Sequence, residues 1–111
     1  MSELFRPGDV VEFDFSPSVG HEPMGRRPGL VVSGIDFNTA TSMTLVCPIT
    51  TRDNGFPLHL ELPEVDECHG WVVLEQVRCF DLRSRNASVL AHLDESGDFM
   101  TNVQSVMRSF F

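Results

Sequence analysis

Hydrophobic and polar residues alternate near the start of the chain in the pattern of a β-strand. Within residues 10–16, Val11, Phe13 and Phe15 share one face, and charged residues lie on the other. A period of two is typical of a strand with one buried side. Further apolar runs predict strands within residues 30–35, 43–49, 58–62, 70–82 and 89–90. The pattern therefore predicts five to seven short strands.

The last segment of the chain changes to a helical spacing. Its apolar residues recur at intervals of three and four: Phe99, Val103, Val106, Met107 and Phe110. Asp94, Ser96 and Asp98 supply capping and dipole-favourable groups before this stripe. Short strands followed by one helix predict a mainly β fold with a C-terminal helix, built as a small antiparallel barrel.

Two of the predicted connections are polar. Residues 17–27 form a long loop with Gly20, Pro23 and Gly25, and loops of this length in small domains often carry function. Residues 36–42 are a short polar segment with room for one helical turn. The sequence contains no linker, internal repeat or low-complexity tract, so we expect one domain over residues 1–111.

Composition and charge narrow the class of protein. No apolar run approaches the roughly 18–20 residues of a membrane helix, and the N-terminus lacks the blocks of a signal peptide, so we expect no membrane association and a cytoplasmic location. The net charge of −8 argues against a general nucleic-acid coating protein. Every basic residue is arginine, the side chain best suited to bidentate phosphate recognition.

Cysteine and acidic residues do not form a convincing metal site. The odd number of cysteines (Cys47, Cys68 and Cys79) has no framework spacing and predicts reduced thiols. The adjacent Cys68 and His69 lack a second ligand pair at zinc spacing. We therefore expect no metal and no other cofactor.

Two strand ends carry the most suggestive polar groups. Pro28 restricts Arg27 to extended geometry at the mouth of one predicted strand, which holds a cation on a short, stiff backbone. A second run ends in Pro48-Ile49-Thr50-Thr51. We expect these ends to meet and to form a site that cleaves a phosphodiester.

A series of short motifs then makes the chain recognisable. In order they are Gly8-Asp9, Asp14-Phe15-Ser16-Pro17, Gly20 and Glu22, Arg27-Pro28, Asn38, Pro48-Ile49-Thr50-Thr51, Pro57, Gly70, Leu74-Glu75-Gln76-Val77-Arg78, Asp81 and Arg83. Their order and spacing, from about Pro7 to Phe111, resemble the MazF/PemK family of toxin ribonucleases from bacterial toxin–antitoxin modules. The resemblance implies a cytoplasmic homodimer with an SH3-like barrel of the PemK/CcdB kind, which cleaves single-stranded RNA without a metal.

The resemblance also implies roles for individual residues. Arg27 and Thr50 match catalytic positions of the family, with Thr51 beside them in the substrate-binding group. Glu22, Glu75 and Gln76 match positions that contact RNA. The expected products carry a 2′,3′-cyclic phosphate and a 5′-OH. The implied partner is a cognate antitoxin whose acidic, disordered tail fills the RNA groove.

Elementary chemistry supports part of this assignment. A fixed cation and a hydroxyl or amide donor can stabilise charge on the phosphoryl oxygens, commonly the largest catalytic effect. We assign that task to Arg27 and Thr50. Arginine is a poor general base because its guanidinium keeps its proton at neutral pH. His21 and Glu22 are better candidates for proton transfer.

Two other functions remain open at the level of sequence. A CcdB-like poison of DNA gyrase would share the barrel, would not cleave RNA, and would act through its C-terminal helix. A catalytically inactive binding module of the same fold is the second alternative. The presence of both Arg27 and Thr50 favours the nuclease.

Overall fold

Antiparallel strand pairing dominates the computed structural model, which describes residues 4–15, 25–52 and 55–111. The strands are β1 Asp9–Asp14, β2 Arg26–Val31, β3 Thr44–Thr50, β4 His59–Glu61, β5 Trp71–Val73, β6 Arg78–Phe80 and β7 Ser88–His92. The helices are α1 Ile35–Thr41 and α2 Asp98–Arg108, with 3₁₀ helices at Leu74–Gln76 and Leu82–Arg85. The prediction of a mainly β fold with a C-terminal helix is confirmed.

The strands pair in the order β4-β5-β3-β2-β1-β7, and β6 pairs with β3. Every pairing is antiparallel. Within the described residues no ladder joins β4 to β7, so the barrel-like path is open. On the edge away from β2, strand β3 pairs first with β6 and then with β5, and the candidate functional site lies where it changes partner.

The second strand lies earlier in the chain than the apolar pattern predicts. It spans 26–31 rather than 30–35, because Arg26 and Arg27 pair with Asp14 and Phe13 of β1. Ile35 instead begins α1, a helix of seven residues where one turn was expected. The buried Asn38 amide fixes this helix by donating to the carbonyl of Phe5 at 2.8 Å.

Apolar side chains cover both faces of the central strands. One cluster joins Val10, Leu30 and Cys47 to Met100 and Val103 of α2. The other cluster is aromatic: Phe13 meets Phe80 edge to face at 4.9 Å, with Val31, Val46 and Phe15 around them. The predicted stripe of α2 packs on the first cluster, except that Phe110 lies beyond the end of the helix and is 37% exposed.

The buried thiol of Cys47 predicts a specific loss of stability in alkali. Burial, and then the charge of Glu75, raises the pKa of Cys47 from 9.0 to about 12. The unfolded thiol ionises above pH 9 while the folded one stays protonated. The free energy of unfolding should therefore fall by up to about 1.4 kcal/mol per pH unit between about 9 and 12.

The measurement is urea unfolding across the alkaline range, with Cys47→Ala as the comparison. The chain contains neither Tyr nor Lys, so few other side chains titrate in this window. The wild-type protein should lose stability more steeply than Cys47→Ala. Parallel pH profiles for the two proteins would contradict the assignment of the effect to Cys47.

Candidate functional site

Pro28 explains why a groove opens between β2 and β3. The Val32 N–H donates to the Leu45 carbonyl and Leu30 pairs with Cys47, so every second residue pair along this ladder is hydrogen-bonded. The next bonded pair would be Pro28 with Ile49. Pro28 has no N–H to donate, so this ladder stops at Gly29–Pro48. The strands part at this point.

Strand β3 changes its other partner at the same place. Residues 44–46 pair with β6, whereas Ile49 and Thr50 pair with Val72 and Trp71 of β5. Pro48 lies between these two ladders, where a missing N–H costs no sheet bond. Arg27 of β2 and Thr50 of β3 both line the opening between the parted strands. The two predicted strand ends therefore do meet.

The parted strands enclose a groove of about 480 Å³. Its lining residues come from β2, β3, β4, β5, the following 3₁₀ helix and the positions directly after β1 and β3: Phe15, Arg27, Pro28, Pro48, Ile49, Thr50, Thr51, His59, Val73 and Gln76. Half of these side chains are apolar, and the others supply one guanidinium, one imidazole, two hydroxyls and one amide. This combination suits an anionic substrate with flat apolar groups.

The two adjacent arginines have different tasks. Arg26 is structural: its guanidinium bonds the side chains of Glu12 and Asp14 at 3.4 Å and the carbonyl of Asn86 at 2.7 Å. Arg27 is exposed, forms no ion pair with any described residue, and lies 6.0 Å from the centroid of the Phe15 ring. Its charge is available to a substrate in the groove.

The hydroxyl of Thr50 is oriented by its own turn. Its Oγ1 accepts the main-chain N–H of Arg52 at 3.2 Å. That bond uses an acceptor site of the oxygen and leaves the hydroxyl proton free to donate. The main chain of Gly70 packs closely against the same residue, since a Cβ at Gly70 would lie only 2.6 Å from the Thr50 carbonyl oxygen.

His59 is a groove residue that the sequence pattern misplaced. The alternation of 58–62 predicts an ordinary outward-facing histidine, but its side chain is only 8% exposed. It lies opposite Val73, and both residues line the groove. The pattern predicts that the side of β4 bearing His59 faces solvent. That side is covered because pairing with β5 places β4 next to the groove. Only the pairing of β4 with β5 could have revealed this.

A short network holds His59 in place. Its Nε2 lies 3.0 Å from the carboxylate Oε2 of Glu75, and its ring meets the Phe56 ring edge to face at 5.1 Å. Its Nδ1 is buried and has no hydrogen-bond partner among the described residues. Glu75, whose role in contacting substrate stays a prediction, therefore also positions a neighbouring side chain.

The other predicted site residues fall into three groups. Gln76 and Thr51 line the groove beside Arg27 and Thr50. Glu75 lies on the same 3₁₀ helix as Gln76 but outside the lining. His21 and Glu22, the candidates for proton transfer, lie outside the described residues.

Two features are absent from the part of the chain that the structure describes. No three His, Cys, Asp or Glu side chains there lie close enough together to hold a metal ion. None of the helices in the described ranges has the length and apolarity needed to cross a membrane.

Comparison with known proteins identifies the class to which this fold and groove belong. Residues 6–111 match the family model of PemK-like, MazF-like toxins of type II toxin–antitoxin systems. The chain therefore belongs to the PemK/MazF family of toxins. The resemblance inferred from the motifs is confirmed.

Individual relatives agree with that assignment. The endoribonuclease toxin ChpB of Escherichia coli K12 is 46% identical over 91 residues, covering 75% of each chain. The endoribonuclease toxin MazF of the same strain is 36% identical over 81 residues, covering 73% of this chain and 72% of MazF. A crystal structure of MazE-MazF from Deinococcus radiodurans superposes with a TM-score of 0.84 at 34% identity, over 98% of this chain and 96% of that one.

Proposed function

We propose that this toxin is an endoribonuclease that cleaves single-stranded RNA by attack of the ribose 2′-OH on the adjacent phosphorus, without a metal ion. The observation that carries the proposal is the juxtaposition, across one groove, of Arg27, which forms no ion pair with any described residue, and the Thr50 hydroxyl, whose oxygen accepts the Arg52 N–H and whose proton is left free to donate. The relatives named endoribonucleases support the same activity.

The reaction needs charge stabilisation more than it needs a strong nucleophile. As the 2′-oxygen attacks, negative charge grows on the two non-bridging oxygens of the phosphoryl group. The Arg27 guanidinium neutralises that charge, and the Thr50 hydroxyl donates to the same oxygens. Donors that are already in place need no reorganisation during the reaction, which is the main source of their effect. The products are a 2′,3′-cyclic phosphate and a 5′-OH.

The remaining assignments concern binding and proton transfer. Gln76 and Thr51 contact the RNA from the groove walls, and Glu75 contacts it from the rim. His21 and Glu22 remain the proposed proton-transfer residues, with Glu22 also contacting the substrate. The apolar side chains that line the groove, Phe15 among them, accept unstacked bases, which is how proteins commonly recognise single-stranded RNA.

The proposed partners follow from the same groove. Solved relatives include MazE-MazF complexes from Deinococcus radiodurans, and we propose that this toxin likewise binds a cognate antitoxin whose acidic, disordered tail occupies the RNA groove. The toxin acts as a homodimer in the cytoplasm, where its RNA substrate is found. Antitoxin binding should weaken with salt, since a screened carboxylate interacts less with Arg27.

The test is incubation of the purified protein with a long single-stranded RNA in EDTA, followed by sequencing of the fragment ends. Discrete cuts with cyclic-phosphate ends are the expected result. Products with 3′-OH ends, or complete loss of cutting in EDTA, would overturn the mechanism. Absence of cutting across a varied RNA, together with inhibition of gyrase supercoiling, would instead establish the CcdB-like activity.

Substitutions at Thr50 separate its hydroxyl from its shape. Thr50→Val keeps the volume and branching but removes the donor, and the cleavage rate should fall about 10²-fold. Thr50→Ser keeps the hydroxyl and should stay within about tenfold of wild type. Single-turnover rates on one RNA containing a mapped cut site measure both. A Thr50→Val rate equal to wild type would move the donor role to the main-chain N–H.

A further inference from the structure

A second group of arginines lies beside the groove, around the rings of Phe15 and Phe80. Arg78 of β6 is exposed, and its guanidinium carbon lies 5.5 Å from the Phe15 centroid and 5.0 Å from that of Phe80. Arg85 lies 4.9 Å from the Phe80 centroid. Two aromatic rings of the core thus present cations to solvent on one surface of a protein whose net charge is −8.

The two peripheral arginines are not equivalent. Arg85 donates to the carbonyls of Asp14 and Phe15 at 3.1 and 2.8 Å, so its guanidinium fixes the end of β1 and with it the Phe15 ring. The guanidinium of Arg78 forms no hydrogen bond or ion pair with any described residue, and it contacts the rings of Phe15 and Phe80. A flat guanidinium supported by rings keeps its donors directed outwards.

The position of Arg78 relative to Arg27 suggests what it binds. Both guanidinium carbons lie within 6.0 Å of the centroid of the same Phe15 ring. A single strand of RNA passing over that ring presents one phosphate to each cation. Neither cation pairs with a carboxylate of the described residues, so binding displaces no ion pair found there.

We propose that Arg78 forms a second phosphate subsite, which binds the RNA phosphate next to the one cleaved at Arg27 and Thr50. This inference rests on the proposed ribonuclease function and extends it. The ligand is the phosphodiester backbone, so Arg78 contributes affinity and strand placement rather than base preference.

Salt dependence gives a direct test. Each phosphate contact to a single strand contributes about −0.7 to the slope of log binding constant against log salt. Binding of a fluorescein-labelled, mixed-sequence 2′-O-methyl RNA, which lacks the attacking hydroxyl, is measured by anisotropy at several salt concentrations. In Arg78→Ala the slope should become shallower by about 0.7, and binding at low salt should weaken several-fold.

Two variants serve as matched controls. Arg108→Ala removes the same charge from the exposed last turn of α2 and should leave the slope unchanged. Arg78→Lys keeps the charge without the flat, ring-supported fork, so it should retain the slope and lose only part of the affinity. On cleavable RNA, Arg78→Ala should raise KM and leave kcat within about twofold.

The outcomes distinguish this inference from the proposed function. If wild-type protein neither binds nor cuts RNA, the ribonuclease function itself fails. If it cuts RNA and Arg78→Ala binds with the wild-type slope, only the second subsite fails. If the salt slope became shallower by the same amount in Arg108→Ala, the effect of Arg78→Ala would come from overall charge and not from a specific subsite.

Discussion

Replacing Arg27 with alanine should lower the cleavage rate by at least about 10²–10³-fold, while the protein remains folded. Stabilising groups directed at developing charge commonly contribute this much. The folded state should barely change, because Arg27 is exposed and forms no ion pair with the described residues. Its ring contact at 6.0 Å contributes at most about 1 kcal/mol at an exposed site.

Single-turnover cleavage of one RNA in EDTA, with thermal unfolding measured alongside, tests this expectation. Arg27→Lys should recover part of the rate, since it restores the charge without the bidentate fork. Arg26→Ala is the control at the adjacent position. It removes bonds to Glu12, Asp14 and Asn86, so it should lower the stability of the fold. Activity of Arg27→Ala near the wild-type rate would exclude Arg27 from the reaction.

Replacing Gly70 with alanine should both destabilise the fold and disturb Thr50. Gly70 has φ of +140°, a conformation that side chains rarely adopt, and a Cβ would come within 2.6 Å of the Thr50 carbonyl oxygen. Backbone strain of this kind costs about 1–3 kcal/mol. The displaced neighbour is backbone rather than a flexible side chain, so relief requires the end of β3 to move.

The measurement combines melting temperature with cleavage rate. For a domain of this size, the expected strain corresponds to a fall of roughly 5–15 °C. Gly34→Ala is a matched control, because Gly34 precedes α1 with φ of −73° and open space around its Cα. Cleavage by folded Gly70→Ala should fall about tenfold or more as Thr50 shifts. Wild-type stability and activity in Gly70→Ala would show that Thr50 tolerates displacement.

The parts of this fold predicted from sequence are those governed by local pattern. The alternation around Val11 and Phe13 and the spacing of Val103 and Val106 both reflect which side of an element is buried, and both predictions agree with the structure. Motif order also identified Arg27 and Thr50, which the structure brings to one groove. These features depend on residues close together in the chain or on a conserved type of spacing within a known family.

The features that sequence reasoning missed depend on pairing at a distance. His59 is buried because β5 places β4 beside the groove, and no pattern within 58–62 contains that information. The early start of β2 arises because Arg26 and Arg27 pair with β1, overriding the polar character of that stretch. The role proposed for Arg78 likewise depends on Phe15, which is far away in sequence and adjacent in space.

The proline that parts β2 from β3 has a consequence for target choice. Because Pro28 lacks an N–H group, the cleft is a covalent property of the chain and exists before any ligand arrives. The protein therefore loses little freedom on binding, and the ordering entropy falls on the RNA, which must present an unpaired, extended segment. For the proposed substrate, secondary structure of each transcript becomes the principal determinant of its lifetime.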